Sequence, residues 1–123
     1  MQEFGLIKNY TGQGKTDQYR LIAPGSKDGH VRRAGVGDKL LGTSGVRGAQ
    51  DQARLDVYLD NIRPIKFGGT VAFGDPLTSD ADGRAIKADP ADGVTIPIAG
   101  HAMCSATEGV VGDMHVLPGY ITG

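Results

Sequence analysis

The chain has 123 residues and a formal net charge of −1. This length suits a single domain, and the balanced charge lacks the clustered Lys and Arg of a domain that reads phosphates, which argues against general nucleic-acid binding. The only adjacent basic pair, Arg32-Arg33, lies in a candidate strand and is interpreted as part of a solvated strand face.

Cysteine usage and hydropathy exclude further classes. A single cysteine, Cys104, rules out a disulfide within the chain and is compatible with a reducing compartment. The opening MQEFGLIKNYTGQG has neither a basic start nor a continuous apolar run, so we do not expect a signal peptide. No window approaches about 18 apolar residues, so we expect no membrane-spanning helix.

Residues 1–18 are polar and punctuated by glycine, with isolated apolar side chains at Phe4, Leu6, Ile7 and Tyr10. Ordering such a segment costs roughly 1–2 kcal/mol per residue. We therefore predict an N-terminal arm over residues 1–18 that is fixed by a partner surface, followed by a single β domain over residues 19–123. The residues leave open the alternative that this segment is an ordinary first strand of the domain.

Short runs between glycine and proline predict strands along the rest of the chain. In the run ARLDVYLD, Leu55, Val57 and Leu59 alternate with polar residues, as in a half-buried strand. Pro64 and Pro97 mark two runs as edge or bulged strands, because proline cannot donate to the ladder. The predicted strands cover residues 19–23, 30–34, 53–60, 62–67, 94–105 and 114–117. Many short strands divided by turns predict an all-β fold, either a small β-barrel or a jelly-roll-like sandwich.

Gly-Asp pairs recur along the chain at Gly37, Gly74 and Gly112, each followed by aspartate. The spacing between the first and second pair nearly equals that between the second and third. Glycine and aspartate together favour a turn that leads into a strand. The recurrence raises the hypothesis of repeated β units with that period.

The string Asp80-Ala81-Asp82-Gly83 resembles the start of a calcium loop. An EF-hand loop needs glycine at its sixth position and glutamate at its twelfth, and no starting residue in this segment satisfies both. Asp82-Gly83 is instead a preferred pair for a tight hairpin, as is Asp28-Gly29. We predict two hairpins.

Two other motifs suggest chemistry and fail on inspection. TGQGKT, at residues 11–16, lacks the first glycine of a phosphate-binding loop and the flanking strand and helix patterns. His101 and Cys104 supply two ligands where a structural zinc site needs four. A metal-dependent hydrolase built on Asp75, Asp80, Asp82 and His101 remains an alternative, but the pattern favours a protein that is not an enzyme and has neither cofactor nor metal.

The order of these features resembles the capsid cement, or head decoration, proteins of tailed bacteriophages. The segments that carry the likeness, in chain order, are MQEFGLIKNYTGQG, LIAPGSKDGHV, VGDKLLGTS, ARLDVYLDN, GGTVAFGDPLTSDADGRAI and IAGHAMCSATEGVVGDMHVLPGYITG. These are turn and strand signatures, and their order over more than a hundred residues makes the resemblance.

The resemblance implies a structural virion protein, made in the cytoplasm of the bacterial host. Such a protein binds the outside of the expanded head, stabilises contacts between major capsid protein subunits, and forms a homo-oligomer, with a trimer favoured over a dimer. It implies no nucleic-acid or membrane partner. The expected capsid or subunit interface comprises Phe4, Leu6, Ile7, Tyr10, Tyr19 and Tyr58. A ligand- or receptor-binding β module on the virion surface is the alternative.

Overall fold

The fold was analysed in a computed structural model, which describes residues 7–123. Ten strands run through this part of the chain, and the all-β prediction is confirmed. Their bounds are β1 Ile7–Gly12, β2 Leu21–Pro24, β3 His30–Arg33, β4 Gly42–Thr43, β5 Arg54–Tyr58, β6 Ile62–Lys66, β7 Pro76–Ser79, β8 Ala85–Lys87, β9 Thr95–Ala102 and β10 Val111–Thr122. Within residues 7–123 no helix is long and apolar enough to cross a membrane.

The first five strands close into a barrel in the order β1-β3-β2-β4-β5, with β5 returning to β1. All neighbours are antiparallel except β1 and β3. The interior is filled by Ile22, Val31, Leu55 and Val57, with Tyr10 packed against them. The predicted alternation in β5 is therefore confirmed, and a small barrel is formed as expected.

Residues 7–12 are a strand of this barrel. They pair with β5 over five residues, from Ile7 opposite Tyr58 to Thr11 opposite Arg54. Of the two alternatives for the start of the chain, the described residues 7–12 therefore follow the first-strand alternative. Phe4 and Leu6, the other predicted anchors, lie outside the described residues.

The last five strands form a sheet in the order β6-β10-β9-β7-β8. Its two edges also meet, because Phe67, just after β6, forms a parallel bridge with Ala85 at the start of β8. The Gly68 N–H donates to the Ala85 carbonyl at 2.8 Å. Pro64 lies in the edge strand β6, and Pro97 lies in β9 near the register shift of β10, so the predicted places for proline are confirmed.

The two halves share one topology. Around the first half the strands follow the order 1-3-2-4-5, and around the second the order is 6-8-7-9-10, with the parallel contact at the same place in each. We call residues 7–58 the first unit and residues 62–123 the second unit. Equivalent positions make the same bonds: Thr16 bridges Ala49 in the first unit, and Val71 bridges Ala106 in the second. The chain is thus a tandem pair of five-stranded units.

This repeat differs from the one suggested by the Gly-Asp pairs. Thr16 and Val71 are 55 residues apart, and Ala49 and Ala106 are 57 apart. Gly37 and Gly74 both adopt positive φ, at 80° and 90°, but they occupy different places in their units. Gly112 lies within β10. The hypothesis of a shorter period was wrong, because two of the dipeptides mark turns at different places in their units and the third lies inside a strand.

Glycine recurs where β4 and β9 cross the neighbouring strands most closely. Gly42 pairs with Ile22, and its equivalent Gly100 pairs with Leu77. A Cβ on Gly42 would collide with the Tyr58 carbonyl oxygen, and a Cβ on Gly100 would collide with that of His115. Only glycine allows this approach, so both units depend on it for closure.

The two units close differently. In the first unit the Thr11 N–H donates directly to the Gly29 carbonyl at 2.9 Å. In the second unit the equivalent groups do not meet: the Lys66 N–H donates to the Tyr19 carbonyl at 3.0 Å, and the Gly83 carbonyl accepts from the Leu21 N–H at 2.7 Å. Residues 19–21 of the first unit therefore fill the seam between β6 and β8. We call this contact the seam.

The seam joins the two cores. Leu21 is fully buried and belongs to the cluster that contains Ile65, Phe67 and Leu77 of the second unit. Its neighbour Ile22 points to the interior of the first unit, because successive side chains of a strand face opposite sides. The predicted strand at residues 19–23 begins later than expected, since Tyr19 adopts a left-handed φ of 56°.

Leu21 is expected to stabilise the second unit from within the first. Leu21→Ala should lower the free energy of unfolding by about 3 kcal/mol, because it leaves a cavity in the second core. In native-state hydrogen exchange, the Lys66 amide should lose more protection than the Thr11 amide. In the control, Ile22→Ala, the Thr11 amide should lose more protection than the Lys66 amide. If both variants reduce the protection of both amides equally, the assignment of Leu21 to the second core is wrong.

Candidate interaction surfaces

The aspartates of the predicted calcium-like string serve the hairpin between β7 and β8. One carboxylate oxygen of Asp80 accepts from the backbone N–H groups of Asp82 and Arg84, each at 2.9 Å. The other accepts from the Arg84 Nε at 2.9 Å. This hydrogen bond raises the pKa of the Arg84 guanidinium above its ordinary value. Asp80 therefore holds the turn that contains Asp82-Gly83, and the predicted hairpin is confirmed.

The other residues of the hydrolase alternative lie elsewhere. Asp75 accepts from the Ala72 N–H at 2.9 Å and closes its own turn. His101 lies in β9 opposite His115. The Cys104 thiol points to the Asp113 carbonyl, with 3.9 Å between sulfur and oxygen. In the part of the chain that the structure describes, no three histidine, cysteine or acidic side chains form a group suited to a metal.

The phosphate-loop motif also has another role. Gly12 ends β1, and the following residues turn toward Thr16, which bridges Ala49. Thr16 is thus placed by strand pairing, whereas a phosphate-binding loop places its last residues at the start of a helix.

The basic pair Arg32-Arg33 is engaged with carboxylates. Arg32 Nη1 lies 2.7 Å from Asp38 Oδ2, which also accepts from the Gly35 N–H at 2.7 Å. These two hydrogen bonds lower the pKa of the Asp38 carboxyl. Arg33 lies 4.0 Å from Asp82, across the contact between the units. Both side chains therefore support the fold.

Asp38 is expected to contribute stability that depends on pH. Because its pKa is lowered in the folded state, the contribution is present above the unfolded value and is lost as the pH falls through the folded value. Asp38→Asn should lower the free energy of unfolding by about 1 kcal/mol at neutral pH. The difference from the wild type should begin to fall at about pH 4, the ordinary range for aspartate, and should vanish at still lower pH. Urea titrations over pH would measure this, with the exposed Asp89→Asn as the control; a difference that persisted in acid would rule out the carboxylate as its cause.

Of the six residues predicted as an interface, the four that the structure describes do not form one surface. Ile7 and Tyr58 are opposite each other at one end of the barrel, where the Arg63 guanidinium lies 4.7 Å from the centre of the Tyr58 ring. Tyr10 is half-buried against the first core, and Tyr19 lies at the seam. Phe4 and Leu6 lie outside the described residues. The role of all six residues in binding stays a prediction.

Two exposed apolar side chains on the second unit, Ile62 and Leu117, were not identified from the sequence. Ile62 of β6 is 53% exposed and Leu117 of β10 is 54% exposed. The side chains of β10 alternate between the two sides of the sheet, so Met114 and Val116 are buried while His115 and Leu117 are exposed. His115 lies between Ile62 and His101, its partners on the two neighbouring strands. We call this surface the β6–β10 face. It was missed because the predicted last strand covered residues 114–117 only, so its alternation was too short to recognise.

The geometry describes an all-β protein of two tandem five-stranded units, in which Asp75 and Asp80 hold turns and several large apolar side chains are exposed. No family model matches the sequence, and no curated protein matches it. Among solved structures, the fold is similar to the head fiber gp8.5 N base in bacteriophage phi29. The similarity has a TM-score of 0.70, covers 91% of this chain and 93% of that chain, and has 19% sequence identity. At this identity the likeness shows a shared fold.

Proposed function

We propose that this chain is a structural protein of a bacteriophage virion that is bound to the head. The observation that carries the proposal is the fold likeness to the phi29 head fiber base, which spans nearly the whole of both chains. The resemblance of the turn and strand segments to head decoration proteins supports the same role independently. The protein is proposed to act by binding, without catalysing a reaction.

The finer proposal is a cement role on the outer surface of the expanded head. There the protein would contact major capsid protein subunits and stabilise the contacts between them. Two features support this: side chains fill the interiors of both units, and large apolar side chains remain outside, as on the β6–β10 face. Exposed apolar side chains grouped on one face are typical of protein interaction sites.

We further propose that the protein acts as a homo-oligomer, with a trimer favoured. An oligomer that touches several capsid subunits gains avidity, because each contact raises the effective concentration of the next. Closed cyclic symmetry is the usual arrangement of such assemblies. Residues 1–6, with Phe4 and Leu6, are proposed to add to the capsid contact as the remaining part of the predicted arm.

Sedimentation with phage heads tests the proposed function. The purified protein should pellet with expanded heads of its phage and should not pellet with proheads. Mass spectrometry of virions should find it in many copies. Equal binding to both forms of the head would contradict the cement role, and absence from virions would contradict the virion role.

The β6–β10 face should carry binding to the head or between copies. The double variant Ile62→Lys/Leu117→Lys should fold, because both side chains are largely exposed, yet bind heads at least tenfold more weakly or dissociate into monomers. Light scattering after size exclusion gives the oligomeric state, and sedimentation gives head binding. The control, Val36→Lys/Val46→Lys, introduces the same charge at exposed sites of the first unit. If the two double variants behave alike, the assignment of this face is wrong.

A second candidate is a ligand- or receptor-binding module on the virion surface. The observation that favours it is that the structural neighbour is part of a head fiber. Binding of the purified protein to host cells, without binding to heads, would favour this candidate over the cement role.

A further inference from the structure

A groove of about 590 Å³ lies where the two units meet, beside the seam. Its cations come from both units: Lys15 and Arg20 from the first, and Lys66 from β6 of the second. One carboxylate, Asp17, lies among them. The groove is therefore basic, although the whole chain has a formal net charge of −1. We call it the junction groove.

Two buried polar groups in the junction groove lack a hydrogen-bond partner among the described residues. Thr16 is only 1% exposed, and its hydroxyl is unpaired. The Arg20 Nε is also buried and unpaired, in a side chain that is 13% exposed. A buried polar group without a partner destabilises the fold, so two of them in one groove call for an explanation.

The resident carboxylate leaves the cations incompletely paired. Asp17 lies 3.8 Å from the Lys15 Nζ and 3.9 Å from the Arg20 Nη2. Charge-assisted hydrogen bonds between such groups are about 1 Å shorter. Lys15 and Arg20 therefore retain the capacity to bind a second carboxylate.

The tandem repeat supplies an internal comparison. The second unit has a groove at the equivalent place, built on the same antiparallel bridge to an alanine. The corresponding positions are Lys15 and Thr70, Thr16 and Val71, and Arg20 and Asp75. Val71 has a methyl group in its side chain where Thr16 has a hydroxyl. The shared backbone thus requires neither the cations nor the hydroxyl.

We propose that the junction groove binds an acidic peptide segment of a partner protein. Carboxylates of the segment would pair with Lys15, Arg20 and Lys66. Its oxygen atoms would accept from the buried Thr16 hydroxyl and Arg20 Nε once the side chains that cover these two groups move aside. The volume suits several residues better than one small anion. An extended segment with spaced carboxylates can lie on both sides of Asp17, whereas a compact dianion would meet its charge.

This inference deepens the proposed function by naming the chemistry of the surface that the protein recognises, and it rests on that function only for the identity of the partner. Binding by the junction groove can be tested in solution without heads. A capped hexa-glutamate peptide is a suitable probe. It should shift the amide resonances of residues 15–20 and Lys66, and its affinity should fall as salt is added.

Charge removal inside and outside the groove separates specific binding from general attraction. Lys15→Gln/Lys66→Gln should weaken peptide binding by about tenfold. The control, Lys27→Gln/Lys39→Gln, removes the same charge from exposed sites of the first unit and should change binding by less than about twofold. An equal loss in both variants would overturn the proposal.

Thr16→Val copies the second unit and separates binding from stability. It should leave the urea midpoint unchanged or raise it, because an unpaired buried hydroxyl is replaced by an isosteric methyl group. Peptide affinity should fall by a few fold. A lowered midpoint, or unchanged affinity, would mean that the hydroxyl serves the fold and not the ligand, contrary to the proposal.

Two further measurements define the ligand and the partner. If inorganic phosphate saturates the same residues at or below the concentration needed for hexa-glutamate, the peptide assignment is wrong. If Lys15→Gln/Lys66→Gln loses the peptide but keeps full binding to heads, the groove does not recognise the head, and the proposed function stands. If the wild type binds the peptide but not heads, the proposed function fails and the groove assignment stands.

Discussion

The seam is the contact on which the rest of the structure depends. A five-stranded unit must satisfy the backbone groups of β6 and β8 where they separate, and the second unit does so with residues 19–21 of the first. Those residues present the Tyr19 carbonyl to β6 and the Leu21 N–H to the Gly83 carbonyl, and they place Leu21 in the second core. One short segment thus supplies both the hydrogen bonds and the apolar side chain that join the units.

The two units make the seam contact in one direction only, from the first unit to the second. Pro76 is the equivalent of Leu21 in the second unit, as their pairings with β9 and β4 show. Proline has no N–H to donate, so the second unit cannot offer a further unit the bond that Leu21 makes. The first unit has no opening to receive one, since Thr11 bonds Gly29 directly. The two described units are therefore not interchangeable in this contact.

Although the units share a backbone plan, their charges differ. The first unit has nine Lys and Arg against five acidic residues, and the second has four against seven. The junction groove lies where these halves meet, and the apolar β6–β10 face lies on the acidic half. The tandem arrangement thus presents two surfaces of different chemistry on one small protein.

The sequence by itself determined the local features: the all-β class, both Asp-Gly hairpins, the alternation of Leu55 and Val57, and the places of Pro64 and Pro97. Each depends on φ preferences or on side-chain period within a few residues. Only the tertiary structure decided the tandem repeat, the seam and the junction groove. Their residues are about 45 or more positions apart, as Leu21 and Gly83 are, and equivalent positions such as Thr16 and Val71 share a backbone role without sharing a side chain.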